Sequence, residues 1–406
     1  MPAIVEFPQV VEDAIKRFGY IFANEPERQH FGEYLTGLLL AQRKTVNGIN
    51  AEFAQTTDQS CLNRWITSVN WDVKELNEER LRFHQEDPQT RYSEYGSIAL
   101  DDVLIDHEGQ LIEEVGWLWD HAEKKNIIAH DYLIANYVCP SGKHYPIEFR
   151  RFIKEEDCKE RHICFKNHTD LFIELVDWVV RKEIPGDFVF DSYYTNAEPL
   201  NYVNSLNRAY VGDLKLNRWI DYQGKQMHAI DIAESISPQI RKPIEWNGKK
   251  QWYFTKSCYI PNVDHKVRIL ILWKGRKDKN PVKVLVTNRI KWEVRRIQGV
   301  YKTRWSGTET FHRDGKQYLG MGECQLRSGQ SQTRHMYLVI LAHSLLVSIL
   351  KKNHPYEWAK ATLNTIGEAC RYVLKETLSK TISWVIEEIT IRHKKQADVI
   401  KALGLV

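Results

Sequence analysis

The chain has 406 residues, more than one domain usually needs, which suggests two or three. A hydrophobic content of 43% is ample for a real core, while a net charge of +4 is too small to establish a nucleic-acid partner by itself. Seven cysteines, odd in number and scattered, exclude a disulfide-framed scaffold, and no apolar run approaches the ~20 residues that span a bilayer. The opening MPAIVEFPQVVEDAIKRF carries acids and no apolar centre, so it does not read as a secretion signal. The expectation is a reduced, cytoplasmic protein with no membrane association.

Residues 1–90 read as helical. Val10–Phe18, Glu27–Gln42, Thr45–Phe53, Gln59–Val69 and Val73–Gln85 repeat apolar residues at three- and four-residue spacing between polar breaks. Within this region RKTVNGINAEFAQTTDQSCLNRWITSVNW gives two short helices compatible with a DNA-binding helix-turn-helix, although such pairs also occur in ordinary helical domains.

From about Arg91 the period changes to that of strands. SIALDDVLI, NIIAHDYLIANYV and YPIEFRRF are three strand-like runs; HTDLFIELVDWVVRK has helical spacing, Pro185-Gly186 closes it, and DFVFD follows as a short buried strand. Strand–strand–strand–helix–strand is the order of a ribonuclease-H-like α/β core, in which the first and fourth strands are neighbours. Residues 206–290 are rich in aromatic and β-branched residues and read as a β-rich insertion. Helices resume after Glu309, with Thr333–Lys352, Tyr356–Leu378 and Thr381–Lys395 closing the chain. The domain organisation expected is 1–90 helical, 91–205 and 291–352 as the two parts of the core, 206–290 as the insertion and 353–406 as a C-terminal helical region.

Three carboxylates stand out on this framework. Asp101 follows Ile98-Ala99-Leu100, and Asp191 follows Phe188-Val189-Phe190, so both sit against an apolar sheet where an unpaired carboxylate is costly. Strand alternation turns Asp102 to the opposite face from Asp101. Glu309 opens a polar helix on which Arg313, Lys316 and Gly320 continue the same stripe at four-, three- and four-residue steps. A salt-bridge ladder, or a capping box from Ser306 to Glu309, explains that stripe without chemistry. Three hard oxygen ligands from separated elements can equally hold a pair of Mg²⁺ ions about a phosphodiester. Between Lys274 and Arg304, eleven Lys and Arg stand against two acids, Asp278 and Glu293, and this run leads directly to Glu309. Cys158, His162, Cys164 and His168 lie within eleven residues, but their close alternating spacing does not suit a tetrahedral zinc site.

Tyr301-x2-Arg304, then Glu309-x6-Lys316, resembles the Tyr-Arg-Glu-Lys signature of bacterial insertion-sequence DDE transposases of the cut-and-paste group. The blocks ALDD, FDSYY and ETFHRDGKQ fall in that group's order, so the resemblance covers most of the chain. One departure is local: members usually have three residues between the Arg and the Glu, and here there are four. The resemblance implies an Asp101/Asp191/Glu309 catalytic triad holding two Mg²⁺, with Mn²⁺ as a substitute. It also implies phosphate contacts from Tyr301, Arg304 and Lys316, to which the helical stripe adds Arg313, and a flipped base held by a Trp, for which Trp252, Trp273 and Trp292 are candidates. The partners implied are double-stranded DNA, as transposon ends and as target, and a second copy in a synaptic dimer on the bacterial nucleoid. A transposon-derived DNA-binding protein that no longer cuts, and a structure-specific nuclease on the same fold, are the alternatives.

Overall fold

The structure is a computed structural model that describes residues 4–109, 111–246, 248–352 and 362–404. Five helices open it: α1 (Gln9–Phe18), α2 (Glu25–Leu40), α3 (Val46–Asn50), α4 (Gln59–Thr67) and α5 (Val73–Glu86). Strands β1 (Ser97–Asp106), β2 (Gly116–Asp120), β3 (Lys125–Val138) and β4 (His144–Phe152) follow, then α6 (Glu155–Glu160), α7 (His168–Arg181), β5 (Asp187–Phe190) and α8 (Ala197–Ser205). Next come β6 (Tyr210–Asp213), β7 (Trp219–Tyr222), β8 (Lys225–His228), α9 (Ala229–Ser235), β9 (Lys242–Trp246), β10 (Lys249–Cys258), β11 (Val267–Trp273) and β12 (Lys283–Thr287). The chain ends in α10 (Val294–Gly307), α11 (Glu309–Tyr318), α12 (Gly329–Ile349), α13 (Ile366–Thr390) and α14 (Gln396–Ala402).

Two compact units result, with boundaries inside β1, inside β3 and within the first turn of α11. The first takes residues 1–91, 104–130 and 311–406. Its centre is α2 and α12, each buried nearly all round. Tyr34 of α2 and His335 of α12 meet with Oη 2.9 Å from Nδ1, and Arg80 of α5 donates to the Ser344 hydroxyl at 3.0 Å. Complete burial drives the His335 imidazole down to about 4, so it stays neutral in the core. Among the described residues, no helix is long and apolar enough to cross a membrane.

The second unit, residues 92–103 and 131–310, holds a mixed sheet ordered β3-β1-β5-β6-β12-β11-β10-β9, with β4 pairing β3. β1, β5 and β6 are parallel to their neighbours in that trio, while β6–β12, β12–β11, β11–β10 and β10–β9 are antiparallel. The mixed sheet with flanking helices is an α/β architecture. The β-rich stretch from residue 206 to 290 extends this sheet, apart from the β7–β8 hairpin, which forms a small sheet of its own.

Several expectations change. Residues 51–58 separate α3 from α4, longer than the turn of about three or four residues in a helix-turn-helix, and α4 turns Leu62, Trp65 and Ile66 into the core. The break expected between Leu378 and Thr381 is absent: α13 runs through Ser379 and Lys380, where no Gly or Pro interrupts it. Its expected start at Tyr356 lies outside the described residues, as do residues 353–361 of the C-terminal region and Asn247 of the turn before β10. Gly320, placed on the α11 stripe, lies beyond that helix with φ +67°.

Candidate functional site

β1 and β5 pair in parallel with Ile98 opposite Phe188 and Leu100 opposite Phe190. One residue beyond that pairing stand Asp101, inside β1, and Asp191, just after β5, so the two carboxylates emerge side by side. Alternation puts them on the face that carries Ala99, Val189 and Val211. That face is covered by Val294, Ile297, Val300 and Tyr301 of α10, all in one apolar cluster with those three residues. The end of α10 comes close to the sheet because residue 307 is glycine. A Cβ there would lie 2.7 Å from Val138 Cγ2 and 3.0 Å from Ala99 Cβ. This close approach brings Glu309, two residues later, towards Asp101, with Arg304 between them.

Arg304 joins the set. Its Nη1 donates to Asp101 Oδ2 at 2.8 Å and lies 3.7 Å from Glu309 Oε1. The Thr308 hydroxyl lies 3.0 Å from Asp101 Oδ2 and 2.9 Å from the Arg304 carbonyl. Thr308 separates α10 from α11, so the additional residue before Glu309 is taken up at a helix break, and Arg304 still reaches the Glu. The capping box does not form: Ser306 lies inside α10, its hydroxyl donating to the Thr303 carbonyl at 3.2 Å. Asp191 is fixed by its own loop, accepting from the Tyr193 amide at 2.8 Å. Asp101 is pushed up to about 7. Burial is the main cause, Arg304 opposes it, and the charges of Asp191 and Glu309 add to it. The charges of both Asp191 and Glu309 thus reach Asp101.

The other expected contacts are distributed differently. Tyr301 is buried, accepting from Lys283 Nζ at 2.9 Å and donating to Asp213 Oδ2 at 3.2 Å. In the first unit, Arg313 pairs with Asp314 at 3.0 Å, and Lys316 donates to the Leu104 carbonyl at 2.7 Å. Of the three Trp candidates, Trp273 is fully buried beneath the Arg241 guanidinium, 3.9 Å from its ring, and cannot receive a base. Trp252 and Trp292 are half-buried and carry Arg276 and Arg296 against their faces, at 5.0 and 3.9 Å.

On the opposite face of β1, Asp102 is held by Tyr194, whose hydroxyl lies 2.8 and 2.7 Å from its two oxygens. Asp131 of β3 and His168 at the start of α7 complete a cluster there. Sequence reasoning does not bring these three together. An Asp in the middle of the apolar run NIIAHDYLIANYV is the available signal, since a carboxylate placed so must be partnered. Burial, with the Asp131 charge next, pushes Asp102 up to about 8. His168 is thus engaged by a carboxylate, while Cys158 is buried, Cys164 exposed, and both are free thiols.

The family model described as DDE superfamily endonuclease matches residues 17–229, just over half of the chain. The chain belongs to the DDE superfamily endonucleases. The matched stretch includes Asp101 and Asp191 and stops short of Glu309, which this DDE chain brings to them through α10 and Thr308. No curated protein matches the chain. DDE superfamily enzymes use divalent metals. The site's donor set fits such an ion: three carboxylates from separate elements, all hard oxygen ligands, with one protein cation already shared between Asp101 and Glu309.

Proposed function

We propose that the protein is the DNA transposase of an insertion sequence. It binds terminal inverted repeats, cleaves the DNA ends and joins them to target DNA at a site made of Asp101, Asp191 and Glu309. The observation that supports this best is the convergence of those carboxylates: two where the parallel pairing of neighbouring strands ends, and one beside Arg304. Residues 91–205 and 291–352 form a ribonuclease-H-like core in this reading, residues 206–290 its insertion, residues 1–90 the DNA-binding helices, and 353–406 a C-terminal helical region.

Two Mg²⁺ ions, or Mn²⁺ in their place, would supply an activated oxygen nucleophile and charge neutralisation at the leaving oxygen. The chain's own residues provide the positioning that phosphoryl transfer mostly requires. Asp101 must be ionised to act as a ligand, so the raised proton affinity of this carboxyl makes ion loading steeply pH-dependent below about 7. Arg304 offers a planar guanidinium suited to a phosphate once the carboxylates are otherwise neutralised. Arg313 and Lys316 add charge for the flanking phosphates. Tyr301 acts by fixing α10 through Asp213 and Lys283 rather than by touching DNA. Two transposon ends brought together imply a dimer in the synaptic complex.

The test is a supercoiled plasmid carrying the DNA that flanks the gene, incubated with the full chain and Mg²⁺. Nicking at the element ends followed by joining is expected, and Asp191→Asn should abolish nicking while leaving DNA binding intact. End binding by the wild type with no nicking would leave a DNA-binding protein; nicking with no joining would leave a nuclease.

A further inference from the structure

The cluster on the other face of β1 has no task in the reaction proposed above. Asp102, Asp131 and His168 each present a ligand atom, and the three atoms lie within 4.8 Å of one another. His168 Nε2 is 2.9 Å from Asp131 Oδ2. The Asp131 side chain is only 9% exposed, and its other oxygen, Oδ1, is buried without a hydrogen-bond partner. Leaving a buried carboxylate oxygen unsatisfied is costly, which calls for a further electropositive group.

The surroundings hold these ligands in place. The His168 ring stacks on Phe152 with centroids 4.2 Å apart, and Tyr193 meets its edge at 5.6 Å. Tyr194 donates to the Asp102 carboxylate, the kind of outer contact that orients a ligand and leaves lone pairs for a cation. We propose that Asp102, Asp131 and His168 form a second divalent-cation site, separate from the carboxylate triad and on the reverse face of the same strand. Its donor set of two carboxylates and one imidazole favours Mn²⁺, Zn²⁺ or Fe²⁺ over Mg²⁺, which prefers oxygen ligands and retained water.

The position gives the site a structural role in the chemistry. Asp102 adjoins Asp101 in β1, and Tyr194, which grips Asp102, follows Asp191 by three residues. The ion ties the middle of β1 to β3 and α7, and through Tyr194 to the loop that orients Asp191. It thereby positions two of the three triad carboxylates without touching DNA.

The test uses the full chain carrying Asp191→Asn and Glu309→Gln, which removes the triad as a ligand set, titrated with Mn²⁺ and read by pulsed electron paramagnetic resonance. Retained Mn²⁺ with modulation from a directly bound nitrogen is expected, because the triad offers only oxygen. His168→Gln in that background should remove the nitrogen signal, and Asp131→Asn, which keeps shape and imidazole, should weaken Mn²⁺ binding by at least about tenfold. Absence of bound Mn²⁺, bound Mn²⁺ lacking nitrogen modulation, or modulation that survives His168→Gln would each overturn the proposal. The result does not depend on whether the chain cleaves DNA.

Discussion

Consecutive residues of one strand, Asp101 and Asp102, serve two unlike surroundings. Asp101 faces α10, shares Arg304 with Glu309, and stands beside Asp191 in a set built only of carboxylates and one cation. Asp102 faces α7 and meets a tyrosine, a second aspartate and a histidine packed against aromatic rings. In the first set Glu309 is 40% exposed, while Asp101 and Arg304 are each 15% exposed, so the set reaches solvent chiefly through Glu309. In the second, Asp131 is 9% exposed and His168 is 22% exposed, packed against Phe152. Alternation in a strand lets one short polar segment present carboxylates to both faces of the sheet.

The largest effect should come from exchanging one aspartate at a time. Asp101→Asn is expected to abolish Mg²⁺-dependent nicking, whereas Asp102→Asn should lower it by no more than about a hundredfold, as for groups that orient a ligand. Equal losses in a plasmid-nicking assay would remove the distinction between the two faces.

Arg304→Ala comes next. Removing one partner of a buried ion pair costs about 3 kcal/mol when the remaining charge persists. Asp101 has a folded value of about 7 against 3.8 for the free group, so the stability it contributes is fully present below about pH 4 and is lost as pH rises through 7. Arg304 opposes that loss. The melting-temperature deficit of Arg304→Ala should therefore be large at pH 8 and small at pH 5, and a deficit independent of pH would contradict the pairing.

A smaller effect is expected at the helix end that delivers Glu309. Gly307→Ala places a methyl against Val138 and Ala99 and should cost about 2 kcal/mol of stability by overpacking. Nicking should fall further than stability explains, because the clash moves α10 away from β1. A variant with normal activity at permissive temperature would show that the close approach is not needed.

Much of the framework was legible in sequence because the apolar runs are short and clearly bounded. Ile98–Leu100 and Phe188–Phe190 announce buried strands, Pro185-Gly186 closes α7 before β5, and the helices of residues 9–86 follow their apolar periodicity. The small elements β2, β8, β9 and α9 escape such a reading, because five or so residues such as GWLWD carry too little pattern to separate strand from loop. The helix break at Thr308 is also invisible in sequence. It goes with a tertiary contact between Thr308 and Asp101, more than two hundred residues apart, and local grammar suggests a capping box in its place. His168 groups by spacing with Cys158, His162 and Cys164, but its partner is Asp131 on a different strand. Spacing along the chain finds ligands that share a helix or loop, and it fails where a sheet assembles them.

Glu309 is the member of the proposed triad that lies beyond the matched family stretch and depends most on the geometry of α10. Glu309→Gln keeps its shape and removes its charge, and cleavage of end-containing plasmid by this variant with Mg²⁺ is the most direct test of the site. Loss of nicking with DNA binding and melting temperature unchanged is expected. Nicking at the wild-type rate would contradict the assignment of Glu309 and the site built around it.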